Sequence, residues 1–150
     1  MKKEEMNRLT IELVPSTAFY TNARKILSED KWDIIRKETY KKFAYRCGIC
    51  YDRGAWHPVE CHEIWNYNDK THIQTLEGLI ALCPSCHKVK HIGLSKIRGD
   101  MENCVKHLML INQITKEEVK EMVDKAFDVW LERSKHEWKC DISFLNRKKG

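Results

Sequence analysis

Several things are missing from this 150-residue sequence, and each absence excludes a class of protein. No uninterrupted apolar run exceeds a few residues, so no segment suits a bilayer span, which takes about twenty. The opening "MKKEEMNRL" has basic residues, but it also has two acids and no apolar h-region. It does not read as a signal peptide, and a cytoplasmic protein with no membrane partner is expected. There is no internal repeat and no low-complexity segment. Acids are also missing between Glu77 and Asp100, where Lys88, Lys90, Lys96 and Arg98 fall with His87 and His91. A basic stretch of this kind suits a polyanion, and it suits an ordinary solvated face equally well.

What is present fits one soluble domain with a core of its own. Net charge is +5, a modest excess, and charged residues make up 33% of the chain. The ends read as helical and the middle does not. "SEDKWDIIRKETYKKF" (28–43) predicts a helix capped by Ser28, with Glu29 and Asp30 in its first turn. "NARKIL" (22–27) predicts a short helix before it, and the first fifteen residues a loosely docked arm. "DMENCVKHLMLIN" (100–112) predicts another helix. So does 115–138, where Thr115 and Glu118 form a capping box. The apolar stripe of that last helix is expected to bury itself against the 28–43 helix. The terminal "RKKG" reads as a frayed tail. Over 46–91 aromatics, Cys and His concentrate, and helical periodicity stops. "HPVECHEIW" and "LEGLIALC" read as strands, with a bend or bulge at Gly78. "CPSCHKVKH" turns into a helix through Pro84. The fold class expected is therefore α+β. An N-terminal arm and helices (1–45) and C-terminal helices (100–150) flank a small metal-bound module (46–99).

Seven cysteines is an odd number, and in a reducing compartment disulfides are not expected. Four of the seven form two Cys-x2-Cys pairs, Cys47–Cys50 and Cys83–Cys86, thirty-two residues apart. Two such knuckles supply four thiolates in a tetrahedron, which zinc accepts without distortion. A structural zinc is expected there, with an iron–sulfur cluster as the weaker rival. Four thiolates leave no open position, so that zinc would staple the fold and carry out no reaction. Cys61, Cys104 and Cys140 read as small buried residues.

A second constellation stands beside the first. His62 and Glu63 precede the second knuckle, and His87 and His91 follow it at i and i+4 on one helix face. A zinc on Cys83 and Cys86 would fix where that helix starts, and so where His87 lies. One His on the strand and two on the helix could set a divalent ion against a phosphate while a nearby base activates water. Against this, either helical His could replace a cysteine as zinc ligand, or simply hydrogen-bond within the fold.

The runs "CGIC", "VECHEIW" and "LEGLIALCPSCHKVKH" resemble the zinc-stapled HNH endonucleases, whose site is the ββα-metal motif. The likeness covers about residues 46–91. The flanking "IELVPSTAFYTNAR" and "HIGLSKIRG" also look like a bacterial HNH group with helices on both sides. The resemblance implies an HNH-like endonuclease that hydrolyses phosphodiester bonds in nucleic acid, with DNA as the first choice. It implies a second divalent ion (Mg, Mn, Ni or Zn) on His62 and His87, with His91 as a further ligand. Glu63 takes the place of the catalytic base, or His62 does if the alignment shifts by one and Cys61 stands in the ligand position. Lys88, Lys90, Lys96 and Arg98 would face the nucleic acid. Two departures stand out. Glu63 replaces the usual His, and Gly78 falls where the motif has Asn, with Asn66, Asn68 and Gln74 as candidate substitutes. They leave a second expectation open: a catalytically inactive HNH-like zinc module that binds nucleic acid or a protein.

Overall fold

The computed structural model describes residues 8–18, 23–54 and 57–148. Residues 1–7 of the expected arm, Asn22 of the expected short helix, and Lys149 and Gly150 of the expected tail lie outside these. The helices are α1 (Ala23–Ile26), α2 (Glu29–Lys42), α3 (Pro84–Lys90), α4 (Ile92–Ile97), α5 (Met101–Asn112) and α6 (Lys116–Arg133). Strands β1 (Glu60–Asn68) and β2 (Ile73–Leu82) form an antiparallel hairpin, and β3 (Lys139–Asp141) runs parallel to β2 at the sheet's edge. The class is α+β.

Local chemistry explains several element boundaries. Ser28 Oγ accepts the Lys31 N–H at 3.3 Å and starts α2. At α6 the capping box is complete: Glu118 N donates to Thr115 Oγ1 at 3.1 Å, and Thr115 N to Glu118 Oε1 at 3.2 Å. At the hairpin tip, Asn68 Oδ1 accepts from the backbone of Lys70 and Thr71. The register slips between Ile64 and Trp65, which face Gly78 and Leu76, so the expected bulge lies beside Gly78. Gly48 is required by a close approach. A Cβ there would stand 2.6 Å from Ile80 Cγ1 and 2.8 Å from Phe43 Cε1.

Two cores lie on the two faces of the hairpin. One gathers Ala23, Trp32, Leu76, Leu79 and Leu145, with α2 packed on β1 and β2. The other gathers Leu9, Leu82, Val89, Leu108, Val119 and Val123 with Cys47, Cys83 and Cys86. The stripe of α6 therefore buries itself against α5, not against α2 as its periodicity alone suggested, because the sheet separates those two helices.

The stretch 8–18 is also no loose arm. Leu9 is fully buried, and Asn112 clasps its backbone on both sides, accepting from Leu9 N at 2.9 Å and donating to Leu9 O at 2.7 Å. Trp130 Nε1 donates to Val14 O at 3.0 Å. One buried leucine among polar neighbours leaves no periodic trace in the sequence. Cys104 is buried as expected, whereas Cys61 and Cys140 are only half-buried.

Candidate metal centres

The two Cys pairs converge. The sulfurs of Cys47, Cys50, Cys83 and Cys86 lie within 4.8 Å of one another, and Cys50 Sγ and Cys83 Sγ are 3.6 Å apart. Sulfurs bound to one zinc at about 2.3 Å sit about 3.8 Å apart at the edges of a tetrahedron, so the set fits such an ion. Each knuckle is positioned by ordinary backbone chemistry. Ile49 N and Cys50 N point at Cys47 Sγ at 3.4 and 3.5 Å, and Gly48 N donates to Ala81 O, which joins the first knuckle to β2. The second knuckle opens α3, with Cys83 at the N-cap and Pro84 in the first turn. Proton affinities diverge across the cluster. Cys83 and Cys86 donate to Cys47 and hold its thiol far below the usual range. Sharing that charge pushes Cys83 up to about 12 and Cys86 higher still. Packed sulfurs cannot all ionise without a cation among them.

A second group forms 3+1 around helix α3. His62 of β1, His87 of α3 and His91 at the end of α3 bring ring nitrogens within 4.8 Å of one another. His87 Nε2 and His91 Nε2 are 3.0 Å apart. The ring of His62 lies edge-on to both, with centroids 5.4 Å away in each case. Burial pushes the pKa of His62 down to about 2, helped by its imidazole neighbours. His91 is exposed on its outer side, but desolvation of its ring against the other imidazoles, and the nearness of His87, lower it to about 4. His87 is also lowered by burial, against the pull of Glu60. Neutral imidazoles converging on one point are a ligand set for a borderline metal ion.

The fourth member is Glu60, which sequence reasoning did not single out. Its Oε2 accepts from His87 Nδ1 at 3.1 Å, and its Oε1 lies 3.5 Å from His57 Nδ1. A carboxylate on Nδ1 fixes the tautomer and leaves Nε2 free to face the centre. The available signal was alternation: Glu60 is two residues before His62, on the same face of an extended strand.

By the same alternation Glu63 faces away. Its Oε2 accepts the Ala23 N–H at 2.9 Å on the α2 side of the sheet, and burial there raises its pKa. Glu63 is thus not brought to the histidines. Gln74 also lies on that face, fully buried, and neither of its amide atoms has a hydrogen-bond partner among the described residues. Gly78 lies on the histidine side, opposite Ile64, where a Cβ would meet only Ile64 Cδ1 at 3.8 Å.

The expected basic face is dispersed. Lys90 turns inward, its Nζ bonded to Thr10 O, Thr10 Oγ1 and Glu12 Oε2 at 2.8, 3.0 and 2.8 Å. Its side chain is only 10% exposed, so it is poorly placed to meet a phosphate. Lys88 pairs with Asp100 at 3.0 Å, and Lys96 lies over the Phe127 ring. Arg98 is exposed at the end of α4. The acids missing from the stretch are supplied by Glu12 and Asp100, which lie outside it in sequence.

No helix among the described residues is long and apolar enough to cross a membrane. No protein-family model, curated protein or solved structure matches this chain closely enough to assign it to a family.

Proposed function

We propose that this chain is an HNH-like, metal-dependent endonuclease acting on nucleic acid, with DNA the first substrate to test. In this reading Cys47, Cys50, Cys83 and Cys86 hold a structural zinc. His62, His87 and His91 hold a second divalent ion. The observation that carries it is the convergence of these three histidines on one point, with Glu60 behind His87. Three nitrogen ligands leave a coordination position open for water or substrate, unlike four thiolates. A divalent ion held there would offset charge on a scissile phosphate and its leaving oxygen. The chain's own contribution is to orient the ligands. Glu60 holds the tautomer of His87, and the second knuckle fixes the start of the helix that carries His87 and His91.

The second reading, an inactive zinc module that binds nucleic acid or a protein, is favoured by one observation. Glu63, the residue in the position of the base, is hydrogen-bonded to Ala23 on the far side of the sheet. Histidines engaged as ligands do not accept protons from water, so the site has no evident base.

Cleavage of plasmid and single-stranded DNA should be followed with magnesium, manganese, nickel and zinc in turn. The nuclease reading expects metal-stimulated cleavage that is lost in His87→Ala with the fold retained. If purified wild type cleaves neither substrate with any of the four metals, the binding-module reading replaces it.

A further inference from the structure

Helix α5 belongs to neither cluster, yet it sends one polar side chain to the sulfurs. His107 Nε2 stands 3.1 Å from Cys86 Sγ. Cys86 is fully buried, and its sulfur lies in the apolar core with Leu82, Val89 and Leu108. Four thiolates around one divalent ion keep a net negative charge. Burying that charge without hydrogen-bond donors is costly. The first knuckle meets this need locally, through the N–H groups of Ile49 and Cys50 aimed at Cys47 Sγ. For Cys86 the corresponding donor comes from twenty-one residues further along the chain. His107 also lines a surface cavity of about 370 Å³ with Ser85, Lys88, Asn103 and Lys106, a lining that does not include Cys86. The imidazole thus reaches both that cavity and the sulfur.

We propose that His107 is a positioning residue of the four-cysteine metal centre: its Nε2–H donates to the Cys86 thiolate, and its ring screens that sulfur from the surface. This inference rests on the reading of the four cysteines as a zinc site. It goes beyond that reading by making α5 part of the centre. Metal occupancy and the docking of α5 on α3 are then coupled, because the donor is well placed only when both are in place.

The test uses the full-length, zinc-loaded protein, with metal content measured first. Zinc release to a colorimetric chelator is compared for wild type, His107→Leu, which keeps bulk but loses the donor, and His107→Gln, which keeps an N–H. A hydrogen bond to a charged acceptor corresponds to an increase of about tenfold or more in release rate for His107→Leu. His107→Gln should stay within about threefold of wild type. In cadmium-113-loaded wild type, NMR should show scalar coupling between the His107 Hε2 proton and the metal through the sulfur. Equal release from His107→Leu and wild type overturns the inference, and so does His107→Gln releasing as fast as His107→Leu. If His107→Leu does not fold, the wild-type coupling decides, and its absence in fully loaded protein overturns the inference. Protein that holds no metal overturns the four-cysteine reading itself. Metal present with an unmoved release rate overturns only the role of His107.

Discussion

The four-cysteine and three-histidine clusters share one short helix, and their surroundings differ in nearly every other respect. Cys83 caps the start of α3 and His91 its end. The sulfurs are enclosed by the larger core, with Cys47, Cys83 and Cys86 all nearly inaccessible. The histidines lie at its edge, with His91 exposed and His62 and His87 half-buried. Four soft ligands in an apolar enclosure make a closed site that supports structure. Three imidazoles at a rim, one of them backed by a carboxylate, make a site that can admit a further ligand. A single helix can thus serve both, because its first turn faces inward and its last reaches the surface.

The comparison breaks most sharply at the closed site. If the four cysteines hold zinc, Cys86→Ser should abolish cooperative folding, because it removes a ligand and places a hydroxyl in the core. Structural zinc sites of this kind contribute on the order of 10 kcal/mol to folding. Circular dichroism melts and elemental zinc content check this together. A folded, zinc-free Cys86→Ser protein would show that the core holds without metal.

At the open site the same kind of change should leave the fold standing. His87→Ala should lower metal occupancy of the histidine cluster on the order of a hundredfold, with a parallel loss of any cleavage. Zinc on the cysteines and the melting curve should be nearly unchanged. Isothermal titration with manganese or nickel, against protein already loaded with one zinc, measures the difference.

A smaller effect is expected one step further out. Glu60→Ala removes the acceptor of His87 Nδ1 and should weaken binding at the histidine site about ten- to a hundredfold. If occupancy in Glu60→Ala equals wild type, His87 is oriented by packing alone.

The smallest effect contrasts the two faces of β1. Glu63 has a folded pKa raised chiefly by burial. Its favourable contribution is fully present below the unfolded value near 4.5 and is lost as pH rises through the folded value. Glu63→Gln keeps an acceptor for Ala23 N and loses the buried charge. It should therefore raise Tm by about 1–3 °C at pH 7, with the gain vanishing below about pH 4.5. Cleavage should be unaffected if Glu63 is structural. A large loss of cleavage with no change in Tm would return Glu63 to the role of base.

Much of this was legible in the chain because it depends on short-range chemistry. The cap at Ser28, the box at Thr115 and Glu118, and the paired Cys-x2-Cys spacing act within a few residues. So does the i, i+4 placing of His87 and His91 on one side of α3. Their geometry survives whatever the rest of the protein does. Strand alternation already placed Glu60 with His62 and Glu63 on the reverse face. Adjacency in "CHEI" instead drew Glu63 into the site. Alternation was the better guide, because a strand turns each successive side chain to the other face.

Partners across the fold belonged to the tertiary structure alone. Lys90 reads as part of a basic surface until Thr10 and Glu12 are seen beside it. The stripe of α6 records that it must be buried, and nothing in it names α5 over α2. His107 sits on an ordinary helical turn, with no spacing that links it to Cys86. Hydrogen bonds, ion pairs and apolar burial are short in space but indifferent to separation along the chain. The sequence by itself therefore determined the longer helices and the hairpin strands, though not α4, β3 or the end of α6 at Arg133, together with the four sulfurs and the histidines that point together. Only the packing of two cores on either side of one hairpin decided which charges are neutralised, which carboxylate serves the histidines, and which helix brings a histidine to the sulfurs.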